Sequence, residues 1–442
     1  MKLNTMKKSI IALAVLSSTA YGASLEDRVE DLEFARDLNT WSFSGELESR
    51  YDYFNEEDKS TDSHYNEDQY SLWARLDIHS KRSDRLDFYG RLSMSKYFND
   101  FTKRVNADSS IAAAGGAGRN KDGAALYVER AFINYKINNQ FTFSIGRLPT
   151  IEGPSFHLQK GTARSGSYPQ LAYGAQLDGM ALTYGTKLFG GSMAVRAIYT
   201  PLNQRALGGS GQSGFNDSDG VQVSSTEDMY SVMVDYEKLN LGWADRFNFI
   251  GQYVGFNDFF FDATASFTTG GAGTPNQVNT VSNLYFDYNA FVVYLEANGV
   301  AGTGLDLGFT YKHTSVDSRG TLGTFGGIFT AVGTNKKNDG NVFMLDARYS
   351  FGKFKLGYEF LQADEYAFTV GLSDVDAIGF YQTPDSTGHH VYGSYDIDSD
   401  LRLILGYMTQ QVDTTYVQNV VGAGTDTDTK VDAGYARLIA NF

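Results

Sequence analysis

Arg75, Arg91 and Arg130 lie near the middle of three successive alternating segments, and Arg50 lies somewhat higher on the segment before them. Guanidinium groups are permanently charged and give no nucleophile, so their chemistry is to attract, orient and sort ions and dipolar solutes. A second charged set, Glu152, Lys160 and Arg164, falls within Leu148–Gln176. An acid facing arginines across a gap would create a transverse field that turns a dipolar solute as it passes. The competing reading is that each arginine only pairs with a nearby carboxylate such as Glu48, Asp77 or Glu129. Both stay open on sequence. So does the facing of residues 123–137, whose parity allows either Glu129 or Arg130 inward, and that of residues 283–298.

Other signals carry less. The adjacent His389 and His390 lack a third ligand and read as solvated. Asp396, Asp398 and Asp400 mimic the start of a calcium loop, but Leu401 and Tyr407 stand where such a loop needs Gly and Glu. They read as a polar turn. Glycine runs such as Gly115–Gly118 open no helix, so they cradle no phosphate. No serine sits between glycines two residues away on each side, so the nucleophile-elbow motif is absent. The pattern calls for no metal, no cofactor and no enzymatic reaction.

The elements that must position the charges are strands. In Trp41–Phe54, Trp41, Phe43, Leu47, Tyr51 and Tyr53 share one face, while Glu46, Glu48, Arg50 and Asp52 share the other. A period of two means a strand with unlike faces. The pattern recurs in sixteen segments, ending with Lys430–Phe442. Seven short connections, such as Asn138–Asn139 and Phe351–Lys353, alternate with eight long ones rich in Gly, Asn, Asp, Ser and Thr. Strict alternation of short and long connections predicts hairpins crossing a membrane, with the short turns and both ends on the periplasmic side. Aromatics near the strand ends, among them Phe43, Tyr135, Tyr349, Phe354 and Tyr407, suit interfacial girdles. The fold expected is all-β: a sixteen-stranded antiparallel transmembrane barrel over residues 41–442.

The connection Leu148–Gln176 is unlike the other long ones. It holds three of the six prolines, Pro149, Pro154 and Pro169. Prolines lack a donor and cannot extend a ladder, so this segment is expected to fold inward as a constriction. Asp235, Glu237, Asp306, Asp346, Glu359 and Asp396 are expected to give the remaining lumen an acidic lining.

The first 23 residues read as a signal peptide, with Lys2, Lys7 and Lys8 ahead of an apolar run from Ile10 to Leu16. That run is shorter than a membrane-spanning helix needs. Removing it would take the formal charge from −15 to −18, which argues against nucleic-acid partners. Residues 24–40 read as a short acidic periplasmic helix. Among 442 residues there is no cysteine, which excludes disulfides and thiolate metal sites. The terminal Phe442, on the apolar face of its strand, resembles the signal read by the barrel-assembly machinery.

Three stretches, VERAFINYKI (Val128–Ile137), FTFSIGRLPT (Phe141–Thr150) and SGSYPQLAYGAQLDGMALTYG (Ser165–Gly185), together with these features, resemble an uncharacterised family of outer-membrane porins. More distantly the chain is similar to the general and phosphate-selective porins, whose third long loop folds inward. Here the third long loop is Leu148–Gln176. The resemblance implies a passive diffusion channel for small hydrophilic solutes and ions, seated in outer-membrane lipid as a homotrimer. Arg50, Arg75, Arg91, Arg130, Glu152, Lys160 and Arg164 would line its constriction. The alternatives are a solute-selective, anion-preferring channel, and a surface adhesin or other non-channel barrel.

Overall fold

The computed structural model describes residues 41–59, 62–98, 125–202 apart from 163, 165 and 175, 228–261, 284–319, 337–364, 367, 369, 380–413 apart from 382, and 428–442. The signal peptide and the helix expected at 24–40 lie outside them.

Sixteen strands follow in chain order: β1 (Trp41–Asp58), β2 (Ser63–Lys81), β3 (Leu86–Tyr97), β4 (Ala125–Lys136), β5 (Phe141–Arg147) and β6 (Asp178–Leu188). They continue with β7 (Gly191–Pro201), β8 (Asp228–Leu239), β9 (Arg246–Phe261), β10 (Leu284–Asn298) and β11 (Leu305–Arg319). The last five are β12 (Lys337–Phe351), β13 (Phe354–Ala363), β14 (Ser386–Asp396), β15 (Leu401–Val412) and β16 (Thr429–Asn441). Each pairs antiparallel with its chain neighbours, and β1 pairs with β16 to close the barrel. Closure leaves no unpaired edge, as a barrel in lipid requires. No helix among the described residues is long and apolar enough to cross a membrane, which bears on helices alone.

The faces follow the alternation. On β1, Phe43 and Leu47 are exposed outward while Glu48, Arg50 and Asp52 are buried inward. On β16, Leu438 faces out while Tyr435, Arg437 and Ile439 face in. The outer wall is a belt of exposed apolar side chains, including Leu126, Val232, Leu345, Leu356 and Leu405. Aromatics mark its short-turn rim, among them Trp243, Tyr349, Phe351 and Phe354. Water would penalise such a belt on a monomer of this size, whereas hydrocarbon accepts it.

Two details differ from the sequence reading. The connection after β1, expected to be long, is nearly absent: β1 and β2 stay paired out to Asp58 opposite Ser63. Polar residues such as Asn55 and Asn66 hide this ladder from a pattern search, because beyond the bilayer neither face needs to be apolar. In β10, Tyr288, Ala290, Val292 and Tyr294 face inward. An apolar inner face on a barrel strand needs a cover, and the inward loop supplies it.

Candidate functional site: a loop clamped across the lumen

The segment Leu148–Gln176 enters the barrel between β5 and β6. Gly146, with φ +127°, is the next-to-last residue of β5, where any Cβ would stand 2.2 Å from the Ala131 carbonyl. Inside, the backbone folds on itself. Gln170 N–H donates to the Pro154 carbonyl at 2.6 Å, and a Cβ on Gly153 would lie 1.3 Å from the Tyr168 carbonyl oxygen. A short helix, α1 (Phe156–Lys160), ends on Gly161 in the left-handed conformation. All five α1 residues are buried.

Three kinds of contact hold the loop. Its apolar residues, Leu148, Tyr168, Ala172 and Tyr173, join one cluster with Met233, Ile250, Val254, Phe256 and Tyr288 of the facing wall. The helix is pinned by polar groups. Ser155 donates to Asp346 at 2.9 Å and Gln159 to Glu359 at 3.0 Å. The Arg348 and Arg402 guanidiniums donate to the Leu158 and Lys160 carbonyls, helix-end acceptors left over by so short a helix.

The third contact is ionic. Glu152, a non-glycine residue at φ 60°, pushes its carboxylate into the arginines of β2, β3 and β4. It lies 3.0 Å from Arg75, 3.0 Å from Arg91, 3.3 Å from Arg130 and 3.7 Å from Lys160. Residues avoid that backbone region unless their surroundings over-determine it. Burial opposes ionisation of Glu152, but Arg75, Lys160, Arg91 and Arg130 outweigh it and hold the carboxyl well below the usual carboxylate range. The same cations meet further acids. Arg75 and Lys160 reach Glu46 at 2.7 and 3.1 Å, and Arg91 reaches Asp77 at 2.7 Å and Glu129 at 3.1 Å. Four cations, Arg75, Arg91, Arg130 and Lys160, thus meet four carboxylates, Glu46, Asp77, Glu129 and Glu152.

The parity question at β4 has an unexpected answer. A bulge breaks the β3–β4 register, so Arg91 faces Arg130 and Leu92 faces Val128, with Glu129 the extra residue. Glu129 is buried and its carboxylate contacts Arg91, Ser93 and Arg130, so both neighbours reach the cluster.

Of the residues expected to act together, Arg75, Arg91, Arg130, Glu152 and Lys160 converge. Arg50 stands beside them: its guanidinium lies 4.9 Å and that of Arg75 5.2 Å from the Trp73 ring. Arg50 contacts Asp52 at 3.3 Å and Glu48 at 3.7 Å. Arg164 lies apart, held at 3.1 Å by Asp235 of β8, which Ser167 and Arg196 also contact.

A scan of protein families matches residues 63–435 to the family described as Protein of unknown function (DUF3373). The chain belongs to it. No curated protein matches. Among solved structures, the chain is similar to Salmonella typhi OmpF in complex with daunomycin, at 14% identity and TM-score 0.48, covering 91% of this chain and 97% of that one. It is also similar to OmpT of Vibrio cholerae lacking loop L8, at 15% identity and TM-score 0.47, covering 90% and 99%. The trimer form of Vibrio cholerae OmpT follows at 16% identity and TM-score 0.46, covering 90% and 99%.

In this DUF3373 chain several interior residues escaped the sequence reading. His390 is buried, not solvated: it contacts Glu359 at 2.6 Å and the Tyr435 hydroxyl at 2.8 Å, while its neighbour His389 faces outward near Tyr358. Alternation along β14 was the signal that separates the two. Among the described residues no group of three His, Asp or Glu could hold a metal. Described residues of the connection after β13 also lie inside. Ala367, Phe380 and Tyr381 pack against Val342, Met344, Leu361 and Ile404, and Thr369 accepts from Lys312 at 2.7 Å. The acids expected to line the lumen are mostly engaged: Asp306 by Arg348, Asp396 by Lys355 and Arg402, Glu359 by His390.

Proposed function

We propose that this protein is an outer-membrane channel through which small hydrophilic solutes and ions diffuse, narrowed by Leu148–Gln176. The observation that carries the reading is the placement of one ion-paired loop across a closed barrel whose outer wall is apolar. A loop inserted this way can limit the bore while leaving the wall intact. Surface display needs no such clamp, which disfavours an adhesin.

In this reading the short turns face the periplasm, and Phe442 is the handle offered to the assembly machinery. Trimerisation is part of the same proposal. Because the cluster around Glu152 balances four cations with four carboxylates, its field is local and transverse, not a cationic lining. Weak ion preference is therefore expected, tuned by partly exposed charges such as Arg196 and Asp77.

The test is reconstitution of purified, folded protein in a planar bilayer under a salt gradient. Stepwise openings with a small reversal potential are expected. A folded, heat-modifiable barrel that never conducts would remove the channel reading.

A further inference from the structure

Beside α1, at the short-turn end of the barrel, lies a cavity of about 300 Å³. It is bounded by the β8–β9 and β10–β11 turns and by the loop. That size is at the small end of ligand sites and suits a solute no larger than an amino acid or a dipeptide.

Its wall carries both charges. Arg164, Arg246 and Arg348 supply the cations; Asp245, Glu296 and Asp306 supply the carboxylates. Some of these are satisfied within the wall: Arg348 holds Asp306 at 2.7 Å and Arg164 holds Asp235 at 3.1 Å. Arg246 is looser, 41% exposed and 3.8 Å from Glu237.

Two buried polar atoms point to a missing partner. His157 is 4% exposed, and its Nε2 lies 3.0 Å from Glu296 while its Nδ1 contacts no hydrogen-bonding group. Asn298 Oδ1 is likewise buried and without a partner. Both residues line the cavity. Such orphaned groups cost stability unless something fills the site.

The geometry points to a binding site for a small zwitterion, a solute with one carboxylate and one ammonium group, held on its way through the lumen. With Arg348 paired to Asp306 and Arg164 to Asp235, a lone anion at Arg246 would still face Asp245 and Glu296, and a lone cation at those carboxylates would face Arg246; a solute with both charges finds a complement for each. The carboxylate belongs at Arg246, and the ammonium belongs near Asp245, Glu296 and Asn298 Oδ1. Among the lining residues the His157 imidazole is the only ring, so a sugar has no broad apolar face to stack upon. The site gains its purpose from the channel reading above, but it binds independently of conduction.

The experiment is calorimetric titration of the full, folded chain in detergent with L-glutamine, against acetate, methylammonium and glycerol. Glutamine is expected to bind at least tenfold more tightly than the other three. Arg246→Ala and Asp245→Asn sit at the rim, and each is expected to weaken it about tenfold while the barrel stays heat-modifiable. Equal binding of acetate or glycerol, or no glutamine binding, overturns the site. Glutamine affinity unchanged in both variants also overturns it. Conductance in the same preparation separates the two ideas. Openings without glutamine binding overturn the site and leave the channel; glutamine binding without openings supports the site and removes the channel.

Discussion

The Glu152 carboxylate stands 3.0 Å from the Arg75 guanidinium, joining the inserted loop to the β2 wall. Both groups are nearly dry, at 9% and 6% side-chain exposure. In such surroundings, removing one partner of an ion pair costs far more than the pair itself contributes, because the other charge stays buried.

Glu152→Gln is therefore expected to loosen the loop by about 3–5 kcal/mol, the scale for an orphaned buried charge. It leaves the four-cation cluster one negative charge short. In a bilayer the reversal potential should move toward anion preference, and the loop should become easier to cut by protease. Unchanged selectivity and unchanged proteolysis would show that Glu152 neither holds the loop nor sets the field.

Replacing Arg75, Arg91 and Arg130 together with Gln should move selectivity the other way, toward cations, since Glu46, Asp77, Glu129 and Glu152 remain. The barrel itself should persist, because its ladder does not use these side chains. A triple variant with the parent's reversal potential would take the arginines out of the permeation account.

Acid should test the same cluster without mutation. The Glu152 carboxyl titrates well below the usual range because its four cations outweigh burial. A lowered folded-state value means that its stabilisation is complete above the unfolded value of about 4.3 and fades only as pH falls through the lower folded one. Single-channel conductance should thus hold steady from pH 7 to about pH 4.5. A Glu152-dependent step, absent in Glu152→Gln, centred above pH 4.5 would contradict the geometry.

Gly153→Ala should open the loop from within. Its Cβ would fall 1.3 Å from the Tyr168 carbonyl, a backbone group that cannot swing aside as a side chain can. The expected result is a barrel that keeps its heat-modifiable mobility yet gains conductance and loop proteolysis. Parent-like behaviour in both assays would mean that the Gly153–Tyr168 closure is not needed.

Much of this molecule was legible in its residues, and the reason is local. A strand between lipid and water needs one apolar and one polar face, so a period of two in Trp41–Phe54 or Lys430–Phe442 announces a strand and its facing without any partner. Sixteen such segments with alternating short and long connections suffice for a closed antiparallel barrel, and the prolines set Leu148–Gln176 apart from the ladder.

The remainder depended on partners distant in the chain. The bulge that brings both Glu129 and Arg130 to the cluster exists only in the pairing of β3 with β4. The polar extension of β1 and β2 to Asp58 and Ser63 is set by their mutual hydrogen bonds, not by hydrophobicity. His390 is buried because Glu359 of the adjacent β13 and Tyr435 of β16, two strands away, receive it. Sequence alone placed Arg75 and Arg91 on the polar faces of their strands, since facing is a property of a single strand, and left Glu129 and Arg130 open. Only the tertiary structure decided that Glu152 would neutralise those arginines directly, because charge pairing depends on a few ångströms between segments that the chain order leaves far apart.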